Sequence, residues 1–281
     1  MSAYRNGCAG TGPVGSAGQQ GVLLPELLRP ETVLAHVDCV LGASNSESAW
    51  AATVAAMQAF GFYHVVYGRA PAPLGVVPVT MDDFHMLSTL PREEMLILMT
   101  RRFDLNSVSV AWALRNAGLA SWSMPPEDLP DDSAARQTPE SLAYYEQIGF
   151  RAGCSIGFAD GTAQGWAVMA LASPPNVEQA HLDSLLPALQ APLLTLARVA
   201  HLTLSRFPWK RPAGSLTRRQ REVLQWVGEG KTTADIACIM DLTLATVEKH
   251  LRGARQCLKV ETTAHALIKA SYLNQLYLRD P

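Results

Sequence analysis

Between Leu216 and Leu276 the sequence carries so many start and stop signals that it leaves room for little except four short helices. Thr217 and Gln220 stand three apart, ahead of the apolar residues Val223, Leu224 and Val227. That is the spacing of a capping box, in which two side chains satisfy each other's exposed amides. Gly230 follows where a helix needs a left-handed exit. Thr232 or Thr233 opens a second helix through Met240, with Ile236, Ala237 and Met240 inward. Asp241-Leu242-Thr243 reads as a tight turn whose last residue caps a third helix. On that helix Val247, Leu251, Ala254 and Leu258 recur at i, i+4, i+7 and i+11, a single buried stripe. Thr246, Lys249, Arg252 and Arg255 fall to its outer face. Thr262 or Thr263 begins a fourth helix, with Ala266, Leu267, Ala270 and Leu273 inward.

Two short helices across a three- or four-residue turn, the second basic on its outer face, describe a helix-turn-helix. A helix fits the major groove of double-stranded DNA, and its first turn offers side chains to base edges. The candidate DNA contacts are Thr243, Thr246, Lys249, Arg252 and Arg255, with the helix amino ends at Thr217, Thr232 and Thr233 available to phosphates. The plainer account of the same face is a solvated charged surface on a small helical bundle.

Charge favours the first account. Residues 1–209 hold 11 Arg, no Lys and 18 acidic residues, a net −7, whereas residues 210–281 set 12 basic against 7 acidic residues, a net +5. Such asymmetry suits a polyanion-binding module joined to an acidic partner domain. Five cysteines (Cys8, Cys39, Cys154, Cys238 and Cys257) form no C-x-x-C pair and show no zinc spacing with histidine. Reduced thiols, no metal, no cofactor and a cytoplasmic location are expected. The first twenty residues lack the apolar run of a secretory signal. The apolar stretch from Leu182 to Leu204 contains Asp183, Pro187, Pro192, Arg198 and His201, which are costly in lipid, so it reads as amphipathic and no membrane partner is expected.

Residues 1–22 are Gly/Ser/Ala-rich and read as a disordered tail. Residues 25–60 read as helical, with Ser46 as a cap and Gly61 as a stop, and Phe62–Gly68 alternates like a strand. The Pro/Val-rich residues 71–80 suit a loop with a second strand. A helix from Pro91, another over Ser107–Asn116, a short strand over Leu119–Ser123 and an acidic loop from Met124 come next. A helix from Glu140 then leads to a hairpin of Gly153–Ala159 and Gly165–Ser173 around Asp160-Gly161-Thr162-Ala163-Gln164. Helices outside a central antiparallel sheet give an α/β/α sandwich, followed by the all-α four-helix helix-turn-helix domain. Leu182, Leu185, Leu189, Leu193 and Leu196 mark a helical stripe in which Pro187 and Pro192 must begin, kink or break helices. Phe207–Ser215 has the composition of a linker. The expected domains are thus 1–22 (tail), 23–205 (sensor), 206–215 (linker) and 216–281 (DNA binding).

Two catalytic motifs occur by letter only. Gly10-Thr11-Gly12-Pro13-Val14-Gly15 matches G-x-G-x-x-G but has no preceding strand. Gly153-Cys154-Ser155-Ile156-Gly157 matches the nucleophile elbow G-x-S-x-G, yet its context is a hairpin instead of the strand, turn and helix that motif requires. The seven histidines are scattered, and His64 and His250 read as structural. No enzymatic activity is expected.

The C-terminal motifs Leu216–Trp226 (LTRRQREVLQW), GEGKTTADIA, LATVEKHL and CLKV, running to Val260, resemble the LuxR-type DNA-binding domain in order and spacing. Gln220 stands where that family usually has Glu, and Thr243 where it often has Ser; both keep their capping chemistry. Upstream, AFGFYHVVYG (59–68) is similar to the first strand of the family's autoinducer-binding domain, and residues 103–123 align with the stretch from its Asp-Pro to its Trp-Ser. The resemblance puts Trp122 at the family's Trp, which bonds the lactone carbonyl, and Gly153 at its Gly before the hairpin. It also shows departures: Glu94 replaces a Trp, Leu98 a Tyr, Ser107-Val108 the Asp-Pro pair, and Ala170 a frequent Thr or Ser. The family's Asp accepts the ligand amide hydrogen and its Tyr hydroxyl meets the acyl carbonyl. A buried amide left without such partners costs about 1–3 kcal/mol per group. The resemblance therefore implies a quorum-sensing type of transcription regulator, divergent in its sensor, acting as a homodimer on an inverted-repeat operator. For the ligand pocket (Tyr67, Glu94, Leu98, Ser107, Trp122 and Ala170) three accounts stand. It holds a different, more apolar small molecule; it is filled by its own side chains and works without ligand; or Tyr67 or Ser109 restores a polar contact. The alternative function is an interaction protein that inhibits a related regulator through inactive heterodimers.

Overall fold

The computed structural model describes residues 29–70, 85–102, 107–129, 137–158, 166–208 and 215–277. The expected tail over 1–22 with its G-x-G-x-x-G string, the loop over 71–80, the turn at 160–164 and most of the linker lie outside those residues. Two compact units divide the chain. One comprises Met1–Tyr67, Leu87–Phe158 and Val168–Leu204; the other comprises Gly68–Met86, Ala159–Ala167 and Ser205–Pro281.

The elements preceding Ser205 are, in chain order, α1 (Pro30–Leu41), α2 (Ser46–Ala59), β1 (His64–Ala70), β2 (His85–Ser88), α3 (Arg92–Thr100), α4 (Val108–Ala113), β3 (Gly118–Ser121), α5 (Pro139–Gln147), β4 (Gly153–Gly157) and β5 (Trp166–Ala172), followed by α6 (Gln179–Arg206). Asn45, not Ser46, caps α2. Its Oδ1 accepts the Ser48 N–H at 2.8 Å while Ser48 Oγ takes the Asn45 N–H at 3.2 Å, because Ser46 already has helical geometry. The helix expected over Ser107–Asn116 is shorter, with Ser107 as its N-cap.

The five strands form one sheet in the order β2-β1-β5-β4-β3. β3 pairs antiparallel with β4, and β4 with β5, Ser155 facing both Ala120 and Ala170. Strand alternation then decides which helix each residue of β4 meets. Ser155 points to α4, where it bonds Ser109. Cys154 points the other way, towards α6, where complete burial, and after it the Asp183 carboxylate, push its thiol well above the ordinary range. The sheet therefore lies between α4 on one face and α6 on the other, the expected sandwich.

α6 runs unbroken for 28 residues through Pro187 and Pro192, so neither proline begins or breaks a helix. Pro187 is exposed and Pro192 only half-buried. The carbonyls they leave unpaired thus lie off the packed face, where water can take them. Leu182, Leu186, Leu189, Leu193, Leu196, Ala200 and Leu204 form the buried stripe, with Leu186 in the place expected of Leu185. Among the described residues α6 alone is long and apolar enough to cross a membrane, but this stripe packs into the protein core. A clasp of side chains fixes its first turn. Gln179 Oε1 accepts the Gly153 N–H at 2.8 Å, and its Nε2 donates to Ser121 and to Asp183. Burial acts to raise the Asp183 pKa, but hydrogen bonds from Ser121, Ser123 and Gln179 outweigh it and hold the group below the usual aspartate value.

The C-terminal helices are α7 (Arg218–Gly228), α8 (Thr233–Met240), α9 (Leu244–Leu258) and α10 (Thr263–Tyr272). Each starts at a threonine that accepts a backbone N–H two or three residues into the helix: Thr217, Thr232, Thr243 and Thr262. All four exits are left-handed: Gly230 after α7, Asp241 after α8, Lys259 after α9 and Asn274 after α10. At Asp241 the Leu242 N–H returns to the Ala237 carbonyl at 2.9 Å, closing the helix end and setting the turn into α9. Val223, Leu224, Ile236, Val247, Leu251, Ala254, Leu258, Ala266 and Ala270 make one shared core.

Candidate DNA-reading face and candidate ligand site

α9 follows α8 through Asp241, Leu242 and Thr243, the geometry of a helix-turn-helix. Its buried stripe of Val247, Leu251, Ala254 and Leu258 faces the core, so the opposite side is left to Ala245, Glu248, Lys249, Arg252 and Gln256, all exposed. Lys249 and Arg252 form no ion pair among the described residues. By contrast Arg218 and Arg219 both bond Glu222, at 2.9 and 2.8 Å. Burial acts to raise the Glu222 pKa, but these two guanidiniums lower it overall.

Arg255 is placed differently from expectation. It is half-buried, and its Nη1 donates to Thr263 Oγ1 at 2.9 Å, bracing α9 against α10. At three residues from Arg252 it lies on the flank of the helix, near the core stripe instead of opposite it. The threonine hydroxyls are likewise engaged in structure. Thr243 and Thr246 share a hydrogen bond of 2.8 Å. Thr232 donates its hydroxyl to Asp235 at 2.7 Å and holds that carboxylate below its usual pKa. Thr217 accepts the Gln220 N–H at 3.3 Å, and Thr233 is the first residue of α8. What these positions still present to a phosphate is the unpaired N–H groups of the helix first turns. Glu248 and Gln256 were missed in the sequence, although helical spacing from Arg252 was sufficient to find them.

In the sensor, the structure gathers Ser107, Trp122 and Ala170 around Ser155. Trp122 Nε1 donates to Ser155 Oγ at 3.1 Å, Ser155 bonds Ser109 at 3.0 Å, and Ser109 bonds Ser107 at 3.1 Å. Trp122 also packs on Phe150, ring centroids 5.4 Å apart. Ala170, the strand partner of Ser155, is the one residue of β5 that is not buried. Gly157 and Gly153 let this layer close. A Cβ on Gly157 would overlap the carbonyl oxygens of Ala113 and Asn116, and one on Gly153 would meet the Leu171 carbonyl oxygen and the Trp122 ring.

The remaining pocket residues separate. Tyr67 is buried, and its hydroxyl lies 2.9 Å from His201 Nδ1 on α6. Its contact is therefore with the helix on the opposite face of the sheet from Ser155. The side chain of Glu94, on α3, makes no hydrogen bond among the described residues; its backbone carbonyl accepts the Tyr144 hydroxyl at 2.8 Å. Its charge acts on His64, whose pKa is lowered by burial and raised in part by Glu94. Leu98 is buried on the same helix. Neither Glu94 nor Leu98 bonds the serine chain. Ser155 itself lies in mid-strand with its hydroxyl committed, so Gly153–Gly157 has no nucleophile-elbow geometry.

Residues 214–270 match the family model for bacterial regulatory proteins of the luxR family, and residues 45–204 match the autoinducer binding domain. The quorum sensing-dependent transcriptional regulator RpaR of Rhodopseudomonas palustris is 29% identical over 161 residues, which cover 56% of this chain and 60% of that protein. The transcriptional activator AnoR of Acinetobacter nosocomialis is 44% identical over 61 residues, 22% of this chain and 26% of that one. The chain thus spans less than two thirds of the length of these curated relatives. SdiA of Escherichia coli, solved in complex with octanoyl-rac-glycerol, has a similar fold, with a TM-score of 0.52 at 15% identity over 89% of this chain and 97% of that one. With its autoinducer-binding region and its helix-turn-helix both matched, the chain belongs to the luxR family of bacterial regulatory proteins.

Proposed function

We propose that this protein is a cytoplasmic, homodimeric transcription regulator that binds an inverted-repeat operator through α9 and senses a small molecule other than an ordinary acyl-homoserine lactone. The observation that carries the DNA reading is the outer side of α9, where Lys249 and Arg252 stand exposed, without partners among the described residues, on a helix fixed by capped ends. Exposed cations at that position can neutralise phosphates or bond guanine edges.

The sensor reading rests on counting protons. An indole N–H only donates, and each serine hydroxyl carries one proton. Ser107, Ser109 and Ser155 thus hold three protons for the two links between them, which leaves one hydroxyl proton without an acceptor among the described residues. Where a carboxylate would offer only acceptors, this chain offers a spare donor. An acyl molecule ending in a carbonyl, ester or hydroxyl oxygen suits it better than one presenting an amide N–H.

Thermal melting of the purified full chain, with mass spectrometry of extracted small molecules, tests this. A lactone present at a hundredfold excess over its Kd would add about 2.7 kcal/mol and raise Tm by several degrees. The expected result is that N-octanoyl-homoserine lactone gives no such shift while 1-octanoyl-glycerol does. A shift of several degrees with the lactone alone contradicts the proposal, and a stable dimer that yields no extractable molecule and answers to neither compound favours ligand-free action.

A further inference from the structure

On the outer side of α9 one residue has the wrong sign for contact with phosphates. Glu248 is exposed, adjacent to Lys249 and one turn before Arg252. At i and i+4 a Glu and an Arg commonly pair, yet among the described residues the Glu248 carboxylate makes no ion pair or hydrogen bond. It is the fifth residue of the helix, and in a helix-turn-helix the early residues of the second helix meet base edges.

An unpaired carboxylate brought against DNA weakens binding unless a donor meets it. The major groove has two such donors, the N4 amino group of cytosine and the N6 amino group of adenine. Adenine sets its amino group beside the N7 acceptor, which repels a second acceptor; the cytosine edge shows the donor alone. We infer that Glu248 reads a cytosine amino group in each half-site and is a specificity-determining residue of the operator contact. This rests on the assignment of α9 as the reading helix. Lys249 and Arg252 beside it offset the repulsion between the carboxylate and the nearby phosphates.

Selection of duplexes from a random pool by the purified full chain, compared with Glu248→Gln and Glu248→Ala, tests the inference. Wild type should enrich cytosine at one position of each half-site by about fivefold or more. Glu248→Gln should replace it with adenine at that same position, since a carboxamide accepts from N6 and donates to N7. Glu248→Ala should lose the preference there and keep it elsewhere. A cytosine that persists in both variants, with every other position unchanged, overturns the role of Glu248 and leaves α9 as the reading helix. Failure of wild type to select any consensus overturns the DNA assignment itself, and this inference with it.

Discussion

Gly157→Ala leaves the sensor unable to close, with a loss of about 3 kcal/mol or more, at the upper end of overpacking effects. The new methyl would occupy the position of two backbone oxygens, those of Ala113 at the end of α4 and Asn116 just after it. Backbone at a strand-to-helix contact cannot rotate away as the end of a long side chain can. Gly153→Ala follows for a related reason: its methyl meets the Leu171 carbonyl in the paired strand and the Trp122 ring. Denaturant unfolding of the full chain, followed by circular dichroism and by tryptophan fluorescence, checks both. A wild-type midpoint in either variant contradicts the packing described between α4, β4 and β5.

The second large effect is on DNA and leaves the fold intact. Lys249→Ala and Arg252→Ala each remove a cation that has no partner among the described residues, so the melting transition should not move. Each should weaken operator binding by about 1–3 kcal/mol, and the pair together by about two orders of magnitude or more. If one of them reads a base, its loss falls on specific duplexes more than on random ones; a uniform loss marks a phosphate contact. Arg255→Ala supplies the contrast. Its guanidinium bonds Thr263, so its removal should lower the unfolding midpoint of the helical domain more than it alters sequence preference. Electrophoretic mobility shifts with specific and random duplexes, beside melting curves, separate the three variants. Unchanged DNA affinity in the Lys249/Arg252 double variant contradicts the assignment of the face.

Local chemistry explains why the helical domain was so legible. Capping threonines, a Gly exit and a four-residue apolar stripe act within one helix, and all four first-turn caps fall among the threonines the sequence singled out. Arg255 was misplaced because its partner Thr263 comes from the next helix, and periodicity alone cannot choose between the flank and the far side of α9. The sensor was readable as a sandwich because strand alternation and helical stripes survive in the sequence. Contacts between distant segments were not readable: Tyr67 with His201, Ser109 with Ser155, and the Gln179–Asp183 clasp on Ser121 join residues far apart in the chain. The prolines of α6 misled for a different reason. Their helix-breaking cost applies when freed carbonyls are buried, and here both rings sit off the packed stripe.

The most direct measurement of the central claim is the salt dependence of binding between the full chain and its selected duplex. If the α9 face meets DNA in each protomer of a dimer, Lys249 and Arg252 alone displace four counterions, and log Kobs against log salt concentration should fall with a slope of at least about −3. The Lys249→Ala/Arg252→Ala variant should show a markedly shallower slope. Binding that stays indifferent to salt, or a slope that the double variant leaves unaltered, would contradict the account.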